Sequence, residues 1–127
     1  MKTVLIVDDE AKLREYLARF FAARGFRTLT ASSGSEAVEQ LTHEVPQYLL
    51  LDIRMPDISG LDVLKFAKQQ HPHLKVVMVT ALQDTQLIEQ AFQLGASDYV
   101  TKPFAMDDPA WARAFFAEES TPHGQPT

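Results

Sequence analysis

The sequence predicts a doubly wound α/β domain, with a mostly parallel five-stranded sheet and five helices covering both of its faces. Three observations carry this. Five short apolar or alternating segments are each followed by a helical segment, the order that gives parallel strands joined by right-handed crossovers. Three of them, TVLIVD (3–8), YLLLDI (48–53) and KVVMVT (75–80), are near-continuous apolar runs, as strands buried on both faces are. Polar residues collect at the strand ends: Asp8 and Asp9, Asp52, Thr80 and Lys102. In open sheets of this class that end is where ligands bind.

Each element has its own signal. Strand one runs into Asp8, Asp9 and Glu10, and carboxylates at the tip of a core strand need compensation. Residues 11–25 carry Leu13, Leu17, Phe20 and Phe21 at i, i+4, i+7 and i+8, an amphipathic helix that Gly25 stops. FRTLTA (26–31) alternates and suits an edge strand. Ser33 and Glu36 have capping-box spacing, so helix two starts there, and Pro46 ends it near Glu44. After strand three, the turn-rich RMPDISG leads to a helix over 59–70, closed by HPH (71–73). Helix four covers 84–94, with Leu87, Ile88, Ala91, Phe92 and Leu94 as its apolar side. SDYVTK (97–102) is strand five. Asp108-Pro109 has the form of a helix start, and that helix extends to Glu118. Residues 1–119 make one domain, and 120–127 read as a disordered tail or the start of a linker.

The composition narrows the function classes. A chain of 127 residues, 46% hydrophobic and 23% charged, can bury a core without staples. It has no cysteine, which excludes disulfides and thiolate metal sites. No apolar run approaches the roughly 18 residues of a membrane span, and no signal-peptide pattern opens the chain; a cytoplasmic location is expected. Residues 1–79 contain ten basic and ten acidic residues, whereas 80–127 contain two basic and seven acidic, so the last third holds the whole net charge of −5. An acidic surface repels phosphate backbones, so direct nucleic-acid binding is not expected.

The chemistry of the convergent residues points to a cation and a phosphoryl group. At about 4 Å and an effective dielectric near 20, each pair of like charges costs roughly 4 kcal/mol. Three carboxylates therefore need protons or a cation among them. Oxygen-only donors suit Mg²⁺ or Mn²⁺. Three carboxylates, one lysine and one divalent cation sum to zero, which lets an anionic phosphoryl group approach, with Lys102 and Thr80 placed to hold it.

The pair Asp8-Asp9, Asp52 followed by IRMPDISG, Thr80-Ala81 and DYVTKPF, in this order and spacing, resemble a bacterial response-regulator receiver domain, the CheY-like form of the flavodoxin-like fold. The resemblance covers about residues 2–118 and implies strand order 2-1-3-4-5. It implies that Asp52 is the phosphoacceptor for a histidine kinase, with Mg²⁺ held directly by Asp9, Asp52 and the backbone carbonyl of Arg54, and by Asp8 largely through water. Thr80 and Lys102 would bind phosphoryl oxygens, Tyr99 would be the switch aromatic, and the Lys102-Pro103 bond would be cis. Arg54 and Leu82 would tune hydrolysis of the phospho-form. The implied partners are a sensor histidine kinase or phosphotransfer protein and an output protein contacted through helix four, strand five and helix five, with Tyr99, Trp111 and Phe116 on that face. The oligomeric state implied is a monomer or a weak phosphorylation-dependent dimer, and turnover of an external substrate is not expected.

Plainer readings exist for each residue. Asp8 and Asp9 suit a helix cap, Asp52 a turn, Tyr99 a packed strand, and His71 and His73 a surface loop. Other functions fit parts of the pattern. A receiver at the N-terminus of a DNA-binding regulator carries the same motifs. A haloacid-dehalogenase-type phosphatase carries its nucleophile in D-x-D-x-T after strand one, which VDDEAK lacks. A pseudo-receiver loses an acid or the lysine, and this chain keeps them all.

Overall fold

The computed structural model describes residues 2–81, 85–102 and 109–116. Five parallel strands lie in the order β2-β1-β3-β4-β5: β1 Thr3–Val7, β2 Arg27–Ala31, β3 Tyr48–Asp52, β4 Lys75–Ala81 and β5 Asp98–Lys102. Helices α1 Ala11–Ala22, α2 Gly34–His43, α3 Gly60–Gln70 and α4 Thr85–Gln93 connect them, and α5 Pro109–Trp111 follows β5. The expected alternation and strand order are both present. Every residue of β1 and β3 is buried, whereas β2 lies at an edge with one buried residue.

Strand periodicity divides the core in two. Leu5, Val7, Leu49, Leu51, Val76 and Met78 point to one face, against Leu41 of α2 and Val63, Leu64 and Ala67 of α3. Val4, Ile6, Tyr48, Leu50, Val77, Val79 and Val100 point to the other, against Leu17, Phe20 and Phe21 of α1 and Trp111. Each face takes alternate residues of each strand, as the pleat requires. On the second face Phe21 is fully buried. Its ring lies 5.2 Å from Phe20, 5.2 Å from Phe26, 4.7 Å from Phe115 and 5.9 Å from Trp111.

Local signals mark the element ends. Gly25 has φ 89°; its N–H donates to Ala22 O and that of Phe26 to Phe21 O, the pair of bonds that closes a helix on a left-handed residue. Ser33 caps α2 by accepting from the Glu36 N–H at 3.1 Å. The reciprocal half of the capping box differs from expectation. Glu36 Oε1 accepts from the N–H and hydroxyl of Ser32, not from Ser33, since Ser32 presents two donors to it.

Three further expectations are corrected. After one α turn, residues 112–116 wind as a π-helix rather than continuing the α-helix to Glu118. Trp111 is 1% exposed and stacks on Phe115, so it belongs to the core and not to a partner face. Phe92, assigned to the apolar side of helix four, is 44% exposed and meets Tyr99 edge-on at 6.0 Å. Leu82, Pro103, Asp108 and the tail lie outside the described residues, as does the Phe116 side chain.

Replacing Phe21 with Ala removes the ring on which four others pack. The expected loss is about 3–5 kcal/mol, read from urea unfolding.

Candidate functional site

The polar groups reach one rim through the same periodicity that builds the core. Ile6, Leu50 and Val100 face α1, and two residues further on stand Asp8, Asp52 and Lys102. These three therefore share a pleat face. Thr80 follows Val79 and has the opposite parity, and it is 2% exposed. Asp8 is 2% and Asp52 5% exposed, whereas Asp9 is exposed at the mouth. One carboxylate oxygen from each of Asp8, Asp9 and Asp52 lies within 4.8 Å of the others.

Lys102 organises the cluster. Its Nζ donates to Asp52 Oδ2 at 2.9 Å and lies 3.4 Å from Asp8 and 3.5 Å from Glu10. Burial lowers the affinity of Lys102 for its proton, but the hydrogen bond and charge of Asp52, with Asp8 and Glu10, more than offset this and hold its pKa above the ordinary lysine value. Burial acts first on Asp52 too and raises its pKa. The bond and charge of Lys102 and the Arg54 N–H pull it down, and the charge of Asp8 adds to the rise. The net direction is a rise, with burial as its largest cause. The donors are all hard oxygens, which fit a divalent cation of the Mg²⁺ class.

The backbone around the carboxylates is tied down. Asp8 Oδ1 accepts from the Glu10 N–H at 2.8 Å, and Arg14 Nη1 donates to Asp8 O at 2.7 Å. Neither Asp8 nor Asp9 caps α1: its N-cap is Glu10, without a side-chain cap bond. The exposed Arg54 donates its N–H to Asp52 Oδ1 at 3.2 Å. Gly60 N donates to Ile53 O at 2.7 Å, and a Cβ at Gly60 would collide with the Asp52 carbonyl oxygen and lie 2.7 Å from Ile53 Cα. Glycine thus lets α3 start directly against the Asp52 backbone.

Asp57 was missed at the sequence level. Its carboxylate accepts from the N–H groups of Gly34 at 3.1 Å and Ser35 at 3.0 Å, fastening the loop after Asp52 to the start of α2. The signal was an acid three residues beyond Arg54 facing a helix start, but nothing local links positions 22 residues apart. The Ser35 hydroxyl, then the Ile58, Ser35 and Gly34 N–H groups, hold Asp57 far below the usual carboxylate range.

Tyr99 is half-buried between the core and Phe92. Arg113 Nε and Nη2 grip the Asp98 carboxylate at 2.7 and 2.9 Å, and Nη2 also donates to Tyr99 O at 3.2 Å. Arg113 is thus engaged within the chain. His71 Nε2 meets Leu41 O at 3.1 Å and His73 is exposed, as surface-loop histidines are.

Two outcomes test this geometry. Gly60→Ala is expected to lower stability by about 1–3 kcal/mol or more and to shift the Asp52 amide resonance. Because the Asp57 pKa is depressed on folding, its contribution is complete above its unfolded value and fades as pH falls toward the lower folded value. The difference in urea midpoint between wild type and Asp57→Asn should be constant from pH 7 to about 5 and close below about pH 4.

Comparison with known proteins agrees with this arrangement. The sequence profile of the response regulator receiver domain matches residues 4–110. The chain is 43% identical over 105 residues to the DNA-binding transcriptional regulator NtrC of Escherichia coli (strain K12), covering 83% of this chain and 22% of that protein. It is 33% identical over 105 residues to sporulation initiation phosphotransferase F of Bacillus subtilis (strain 168), covering 83% of this chain and 85% of that one. The crystal structure of the receiver domain of NtrX from Brucella abortus matches with a TM-score of 0.80 at 31% identity, over 92% of this chain and 95% of that one. With its 2-1-3-4-5 sheet and its carboxylates and lysine on one rim, the chain belongs to the response regulator receiver domain family.

Proposed function

We propose that Asp52 is the phosphoacceptor of this receiver and takes its phosphoryl group from the phosphohistidine of a sensor kinase or phosphotransfer protein. The single observation that carries this is the buried Asp52 carboxylate hydrogen-bonded to Lys102 beside two further carboxylates. An Asp52 oxygen attacks phosphorus, and the P–N bond breaks. The imidazole nitrogen leaves with the electron pair. Asp8, Asp9, Asp52 and the Arg54 carbonyl would hold Mg²⁺, which supplies charge neutralisation to the phosphoryl oxygens. Lys102 exchanges its bond to Asp52 for one to a phosphoryl oxygen, and the Thr80 hydroxyl closes on another. Water later attacks phosphorus and restores the carboxylate. Arg54 shields that group, and with Leu82 it slows this step. No external substrate is turned over.

Movement at Thr80 is passed to Tyr99, which lies one position before Val100 on the adjacent strand. We assign the output face to Tyr99 and the exposed Phe92, in the part of the chain whose composition is acidic. With Arg113 held by Asp98, a self-complementary salt-bridge network is weak, which favours a partner with a basic rim. Among the described residues no helix is long and apolar enough to cross a membrane, in keeping with a cytoplasmic signalling role. The match to NtrC over 22% of its length supports a second setting, the receiver of a longer transcriptional regulator.

Incubation with acetyl phosphate and Mg²⁺ is expected to give a stoichiometric, acid-stable and base-labile adduct. Asp52→Asn should give none, EDTA should block the wild type, and Lys102→Met should bind Mg²⁺ but lose phosphorylation-dependent changes at Tyr99. Labelling of the Asn variant, or labelling in EDTA, would remove Asp52 from the role.

A further inference from the structure

The loop that leaves Asp52 is anchored at both ends. Ile53 takes one end: its N–H donates to Val79 O at 3.0 Å, and its carbonyl accepts from the Gly60 N–H at 2.7 Å. Asp57 takes the other, through its two bonds to the start of α2. Only Arg54, Met55 and Pro56 lie between. The Pro56 ring fixes its own φ and biases Met55 toward extended backbone, and Met55 is partly buried against the core. Little slack is left at Arg54, whose N–H is itself bonded to Asp52 Oδ1.

The start of α2 is shaped to receive this anchor. The first N–H groups of a helix have no partner within it. Ser33 Oγ accepts that of Glu36, and the two carboxylate oxygens of Asp57 accept those of Gly34 and Ser35. An ionised acceptor at a helix start is favoured by charge as well as by geometry. Beside these bonds the backbones are in close contact. A Cβ at Gly34 would lie 2.8 Å from Ile58 Cβ, 2.8 Å from Ile58 O and 3.1 Å from Val63 Cγ2. A side chain at position 34 would therefore push α2 and the loop apart. Asp57 itself is exposed and is not one of the clustered carboxylates.

We infer that Asp57 is a positioning residue for the cation: by holding the loop on α2, it sets where the Arg54 carbonyl stands relative to Asp52, Asp9 and Asp8. This role rests on the Mg²⁺ site proposed above and adds to it a residue outside the donor set. Groups that orient metal ligands commonly contribute ten- to a hundredfold to affinity. Here the orientation passes through three residues of backbone, which puts the effect at the lower end, about tenfold. Coupling of this kind is reciprocal. Gly34 and Ser35 are therefore held on Asp57 more tightly, by the same factor, when Mg²⁺ is bound, and the start of α2 reports the loading of the site.

The test titrates Mg²⁺ alone into the full chain and follows the amide resonances of Asp8, Asp9 and Asp52. Asp57→Ala is expected to weaken binding about tenfold, and Asp57→Asn, which retains one acceptor oxygen, to weaken it less. Phe26→Leu lowers stability on the α1 face of the sheet and should leave the affinity unchanged, which separates positioning from a general loss of stability. In the wild type, saturating Mg²⁺ should slow hydrogen exchange at the Gly34 and Ser35 N–H groups about tenfold. The Gly25 N–H, bonded within its own helix end to Ala22 O, should keep its rate. Wild-type affinity in Asp57→Ala, an equal loss in Phe26→Leu, or unchanged exchange at Gly34 and Ser35 would overturn this role and leave the Mg²⁺ site standing. A wild type that takes up no Mg²⁺ at Asp52 would remove the site and the role together.

Discussion

The hydrogen bond from Lys102 to Asp52 joins residues 50 positions apart, on strands that are not neighbours. A carboxylate that is 5% exposed is tolerated only with compensation, and the compensating ammonium arrives from across β4. The bond therefore needs the whole sheet in its observed order and register. Asp52 opposes Val79, and Ala81 opposes Lys102, which sets the lysine beyond the end of the central strand with its stem long enough to reach back. Asp8 enters from β1 on the other flank of β3. The polar rim is thus a consequence of where the apolar strands stop.

Two attachments hold the backbone after Asp52. The turn after it is pressed against the first residue of α3 at Gly60 and tied to α2 through Asp57. Both attachments lie on the α2–α3 side, whereas Asp8 and Lys102 share the α1 side. One face of the sheet holds the loop still, and the other supplies the charges. Such a division leaves Thr80, whose parity is opposite to that of Asp52, as the group linking the charged rim to the α4 side.

The region that would report the state of the site is more loosely built. Tyr99 leans on Phe92, itself largely exposed, and its backbone is fastened by Arg113 through Asp98. An exposed ion pair contributes little to stability, but a bidentate grip orients two elements at small cost when they move.

Elements were legible in the sequence wherever the signal is local. Continuous apolar runs identify β1, β3 and β4, and Gly25 and Ser33 mark helix ends with the bonds they then make. The candidate site was legible too, because Asp8, Asp9, Asp52, Thr80 and Lys102 all stand at the carboxyl ends of strands, and parallel strands bring such ends together. Tertiary packing alone decided the rest. The i, i+4 spacing of Trp111 and Phe115 lets both face the sheet, but it is the packing against Phe20 and Phe21 that takes Trp111 fully out of solvent and off a partner face. Asp57 reads as a turn residue until α2 is set beside it, and the Arg113–Asp98 pair joins positions 15 residues apart. Periodicity and caps act over a few residues, whereas these pairings act between elements, and only the folded chain makes them neighbours.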